Sequence, residues 1–174
     1  IAIRYMTLDL REIQQLLNSK IHEERLVSLM ILRIKYQKGS EKEKKEFFNF
    51  YLNNTKNINN WDLIDGSAGD IVGDCLTDKD KSILYRLAKS KSIWERRIAM
   101  LATYPYIKKG EFSDALKIAG ILLQDKHDLI QKAVGWMLRE IGKRDQKVEE
   151  EFLKKYYKIM SRTMLRYAIE RFDE

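Results

Sequence analysis

The chain has 174 residues, 34% of them charged, and 33 Lys and Arg against 26 Asp and Glu give a net charge of +7. That length suffices for a single domain over residues 1–174, and the composition argues against several classes. Cys75 is the only cysteine, which excludes an internal disulfide and fits a reducing compartment. His22 and His127 stand far apart without a cysteine partner, which argues against a zinc site. No apolar run reaches the length of a membrane span, and the start Ile1-Ala2-Ile3-Arg4 is too short for a signal peptide and lacks an initiator Met.

Taken in order, the chain shows helical periodicity almost everywhere and no long alternation of apolar and polar residues. The pattern predicts helices over 8–18, 21–37, 41–54, 60–76, 78–89, 93–108, 112–124, 129–143, 146–160 and 163–172. Start signals of the capping-box form support several of them: Ser40 with Glu43, Thr77 with Asp80, Ser92 with Glu95 and Asp128 with Gln131. Pro105 falls late in its helix and is expected to kink or end it. Lys38-Gly39 and Lys109-Gly110 each close a long helix ahead of an acidic, Phe-containing one, and Arg97-Ile98-Ala99-Met100 reappears in character at Lys132-Ala133-Val134-Gly135. A period in the mid-thirties with two helices per unit is the signature of an all-α solenoid, whose stacked pairs build a concave surface suited to a partner.

The stretch from Asn59 to Gly73 organises the rest. On a helix, Leu63, Ile64, Ala68, Ile71, Val72 and Cys75 form one apolar stripe, and Trp61 and Asp65 lie side by side at its rim. Gly66, Gly69 and Gly73 share a bare face. Each glycine costs about 1 kcal/mol relative to Ala in a helix, so another helix or a ligand is expected to approach there. The pair Trp61 and Asp65 reads equally as a packed aromatic with an acid suited to the helix dipole.

Two further helices carry cations beside aromatics. Trp136 projects off the stripe of Ile130, Ala133, Val134, Met137 and Ile141, on the side of Lys132 and Arg139. That composition suits nucleic acid, with indole on bases or sugars and cations on phosphates; Trp136 packing on the next repeat is the alternative. Arg97 lies at the margin of the stripe Trp94, Ile98, Leu101, Ala102 and Pro105, while Arg96 points away. Arg97 can engage a phosphate bidentately or form an ion pair with Asp65, and the two roles are compatible. The carboxy-terminal Lys154, Lys155, Tyr156, Tyr157, Lys158, Arg162 and Arg166 read as core tyrosines among solvated cations. No metal-ligand spacing, phosphate-cradling loop or Ser/His/Asp triad is present, so catalysis would rest on a carboxylate, an arginine and aromatics.

Three stretches resemble the AlkD family of alkylpurine DNA glycosylases: Asn60-Trp61-Asp62-Leu63-Ile64-Asp65, Trp94-Glu95-Arg96-Arg97-Ile98-Ala99 and Ala133-Val134-Gly135-Trp136-Met137-Leu138-Arg139-Glu140. The resemblance implies a right-handed superhelix of HEAT-like antiparallel helix pairs, with the family's N-terminal helices shortened or missing. It implies Asp65 as the catalytic carboxylate, Trp61 and Trp136 as the cleft tryptophans, and Arg97 as the site arginine, with Arg96 the alternative. The implied activity is hydrolysis of the N-glycosidic bond of cationic N3- or N7-alkylated purines in double-stranded DNA. No cofactor or metal is expected, and the protein is expected to be a cytoplasmic monomer, nucleoid-associated if prokaryotic. A non-catalytic helical-repeat module binding DNA or a protein partner is the other reading, because a solenoid alone does not define function.

Overall fold

The computed structural model describes residues 2–172. After a short 3-10 turn (Ala2–Tyr5) the helices are α1 (Leu10–Leu17), α2 (His22–Lys38), α3 (Glu41–Asn53) and α4 (Trp61–Asp65). A π-helix (Gly69–Gly73) precedes α5 (Ser82–Ala88), α6 (Ile93–Leu101), α7 (Tyr104–Lys108), α8 (Ser113–Leu122), α9 (Asp128–Gly142), α10 (Gln146–Tyr156) and α11 (Arg162–Ala168). The described residues contain no strand. Leading helices α1, α5 and α8 pack on the helix that follows, α3 packs on the π-helix, and the following helices α2, α4, α6, α9 and α11 touch one another in succession. The fold is thus an all-α stack of helix pairs. One apolar core runs through it from Leu17 to Ala168, with a small second cluster of Ala2, Ile13 and Ile31 beneath the first helices.

Local chemistry accounts for most of the boundaries. Ser40 and Glu43 close a reciprocal capping box on α3, as the spacing predicts, and Asp9 with Glu12 does the same for α1. Ser92 caps α6, but Glu95 leaves the box to accept from the Thr55 hydroxyl at 2.8 Å. Two expected caps are replaced by a neighbour. α9 starts one residue earlier than predicted, with the His127 ring accepting the Leu129 N–H at 3.2 Å, so Asp128 is already inside the helix. Thr77 caps nothing; Asp78 turns left-handed (φ 57°), Asp80 accepts the Ser82 N–H, and α5 begins at Ser82 rather than 78.

Two predicted helices are divided. The span 93–108 breaks between Leu101 and Tyr104, where the Thr103 hydroxyl bonds back to the Met100 carbonyl. Pro105 sits at the start of α7, where its missing N–H costs nothing. The span 60–76 becomes α4, a turn at Gly66-Ser67 and the π-helix. A Cβ on Gly73 would lie 2.3 Å from the Ala102 carbonyl and 2.9 Å from Pro105, and one on Gly69 would be 3.5 Å from the Leu101 carbonyl. The approach expected at the glycine face is therefore made by a helix, at Gly69 and Gly73. Tyr106 completes it by donating to the Gly73 carbonyl at 2.8 Å.

Candidate functional site

The site is built on α4. Asn60 opens the helix by accepting the Trp61 N–H at 2.8 Å, and the wholly buried Leu63 and Ile64 fix which way it faces. At its far end the Ser67 hydroxyl bonds the Leu63 carbonyl at 2.5 Å and meets the buried Tyr51 hydroxyl at 2.9 Å. Burial pushes the Tyr51 hydroxyl well above the ordinary tyrosine range, so it remains a neutral hydrogen-bonding group. The packing leaves Trp61 52% exposed and Asp65, one turn on, mostly covered with 18% of its side chain reaching solvent.

Asp65 is held by a two-pronged contact. Arg97 donates from Nε to Oδ1 at 2.8 Å and from Nη2 to Oδ2 at 2.7 Å, and its Nη1 donates to the Leu129 carbonyl in the first turn of α9. One guanidinium, 6% exposed, thereby ties α4, α6 and α9 together. Of the two roles open to Arg97, the geometry realises the ion pair. A carboxylate has about four acceptor positions, so each oxygen of Asp65 keeps one for another donor.

The other expected residues lie nearby in different settings. Trp136 is half-buried on α9, packed against the core, with its ring 6.4 Å from that of Tyr104. Lys132 pairs with Asp128 one turn earlier at 2.7 Å. Arg139 pairs with Glu170. Arg96 is bound within the protein: Nε donates to Asp125 at 2.6 Å, and Nη1 donates to the Ser90 and Lys91 carbonyls at 2.9 and 3.0 Å. All four cations that were expected to meet phosphate therefore carry a carboxylate partner. Among the described residues no group of His, Cys, Asp and Glu gathers as a metal site, and no helix is long and apolar enough to cross a membrane.

Sequence reasoning missed two supports of α4. His22 Nε2 lies 2.7 Å from Asp62 Oδ2, at the start of α2 and α4 respectively. Arg33 pairs with Asp70 and reaches the Gly66 carbonyl at 3.4 Å. Each contact joins residues about one repeat apart, so a repeat-by-repeat alignment of opposite charges was the signal available.

The fold and the Asp65–Arg97 pair define a helical-repeat protein with an exposed indole beside a fixed carboxylate. Residues 2–172 match the family described as DNA alkylation repair enzyme, and the chain belongs to that family. Solved structures share the fold at low identity. A predicted DNA alkylation repair enzyme from Enterococcus faecalis is 18% identical with a TM-score of 0.73, over 99% of this chain and 81% of that one. AlkD2 from Streptococcus mutans is 20% identical with a TM-score of 0.67, over 99% and 87%. The smu.31 protein of Streptococcus mutans UA159 is 21% identical with a TM-score of 0.63, over 96% and 86%. No curated protein matches the sequence.

Proposed function

We propose that the protein is a monofunctional DNA glycosylase releasing cationic alkylpurines, such as N3-methyladenine and N7-methylguanine, from double-stranded DNA. The observation that carries this reading is Asp65: a carboxylate with both oxygens fixed, part of its side chain open to solvent, one helical turn from the exposed Trp61. Alkylation at a ring nitrogen makes the purine positive and a good leaving group. As the bond from the sugar breaks, its electrons neutralise the purine and positive charge builds on the deoxyribose, as in glycoside hydrolysis. A carboxylate already oriented toward that sugar stabilises the charge without reorganising, and can take the proton of the water that adds to it.

In this reading Trp61 and Trp136 contact the DNA backbone, and Lys132 and Arg139 exchange their carboxylate partners for phosphate. Arg97 acts as a positioning residue, since its fork is engaged by Asp65 and the Leu129 carbonyl. The same fork also favours a second reading, a DNA-binding repeat protein without catalysis, because it offsets part of the charge on Asp65. Incubation with duplex DNA containing 7-methylguanine separates the two. Release by the wild type, reduced at least a hundredfold by Asp65→Asn, is expected; equal release, or none by either, removes the glycosylase reading.

A further inference from the structure

At the carboxy-terminal end of the stack, the last turns of α9, the first turn of α10 and the end of α11 line a cavity of about 200 Å3. Its polar lining comes from Arg139 and Lys143 of α9, Gln146 and Glu149 of α10, and Arg171 beyond α11. Two of these carry an atom that is cut off from solvent and has no hydrogen-bond partner among the described residues: Arg139 Nε and Glu149 Oε1. Glu149 is 1% exposed, and its other oxygen lies over Gly142, where any Cβ would collide with it. Buried polar groups are normally paired, because an unpaired one gives up its water without replacement. Two orphans lining one cavity therefore point to a guest. A water molecule takes about 30 Å3, so the space admits something several times larger.

The chemistry of the lining selects the guest. Around the cavity, Arg139 spends Nη1 on Glu170, Lys143 and Arg144 share Glu140, Asp145 caps α10, and Glu150 accepts from Gln146 and Lys154. Burial raises the Glu149 carboxyl to about 8 against a pull from Arg139, with a smaller push from Glu150. At neutral pH Glu149 therefore carries a proton and can donate. The lining thus presents the Arg139 Nε–H, the Glu149 O–H and the cations of Lys143 and Arg171. An acceptor-rich anion satisfies them together, whereas a cation or an apolar guest would leave the orphan donors unpaired.

We propose that this cavity binds a small tetrahedral oxoanion of the phosphate or sulfate class, with Arg139 and Glu149 as its anchoring donors. The site stands apart from Asp65: Arg139 lies ten residues along α9 from the Leu129 carbonyl that holds Arg97, about 15 Å at the rise of a helix. It also releases its guest at alkaline pH. Once ionised, Glu149 repels the anion and competes with it for the Arg139 Nε–H.

The test titrates the protein with sodium sulfate, whose charge is constant from neutral to alkaline pH, by isothermal titration calorimetry at fixed ionic strength. One saturable site is expected at pH 7, with affinity about tenfold lower at pH 9, following the protonated fraction of a group that titrates at about 8. Glu149→Gln keeps a donor and cannot ionise, so it should bind equally at both pH values. Arg139→Gln should weaken binding at least tenfold, while Lys147→Gln, an exposed cation of α10 outside the cavity, should leave it unchanged. Circular dichroism confirms helix content for each variant. No saturable heat, or equal weakening by Arg139→Gln and Lys147→Gln, overturns the site; wild-type affinity that is the same at both pH values overturns the part given to Glu149. Inorganic phosphate should displace sulfate at pH 7 and undamaged duplex DNA should not. Displacement by duplex would make the phosphate a backbone group and overturn the free small anion. None of these outcomes bears on base release at Asp65.

Discussion

Asp65 and Arg97 depend on each other. With the guanidinium removed, Asp65 keeps a mostly covered charge with no counterpart, and the Leu129 carbonyl loses a donor. Breaking a buried ion pair from one side typically costs about 3–5 kcal/mol; because Asp65 retains some contact with water, about 2–3 kcal/mol is expected for Arg97→Met. Urea unfolding measures it, and a smaller loss in the Asp65→Asn background would reveal the coupling. Glu149 makes a separate prediction. It is 1% exposed against Gly142, and burial, with a smaller push from Glu150 and an opposing pull from Arg139, raises its carboxyl from the ordinary 4.5 to about 8. Between those values the folded state holds a proton that the unfolded chain has lost. Stability therefore falls as pH rises from about 4.5 through about 8. Glu149→Gln should flatten that part of the profile, with the largest gain in urea midpoint at pH 9.

At the scale of elements, the glycines of the site helix divide into two kinds. Gly73 is required by packing, because any Cβ there collides with the Ala102 carbonyl. Gly73→Ala should destabilise by about 1–3 kcal/mol through overpacking, although alanine is the better helix former. Gly66 is exposed, in right-handed helical conformation, and a Cβ there would meet only the Asp62 carbonyl at 3.4 Å. Gly66→Ala should leave stability unchanged or raise it by up to about 1 kcal/mol. Thermal unfolding of the two variants side by side gives opposite signs if α6 and α7, and no ligand, account for the close approach at Gly73.

For the whole molecule, the stacking of pairs makes the end of the array depend on its neighbour. Gly135 of α9 accepts α11 so closely that a Cβ would lie 2.4 Å from the Met164 carbonyl. A chain ending after Met160 would uncover that face of α9. It should melt at lower temperature and lose cooperativity, while far-UV circular dichroism still reports a largely helical chain.

The helical class, the paired repeat and the side-by-side setting of Trp61 and Asp65 were legible in the amino-acid sequence. The first and last follow from periodicity and spacing within one helix, where 100° per residue governs which side chains meet, and the repeat follows from the recurrence of similar stretches at a period in the mid-thirties. The capping box at Ser40 and Glu43 was legible for the same reason. What only the tertiary structure decided is who partners whom across repeats. The choice of Arg97 for Asp65, the binding of Arg96 to Asp125 and the split at Gly66 depend on contacts between residues about thirty positions apart. Local pattern leaves such choices open: a cation at a helix margin can meet phosphate or carboxylate, and packing against the next helix determines which is within reach.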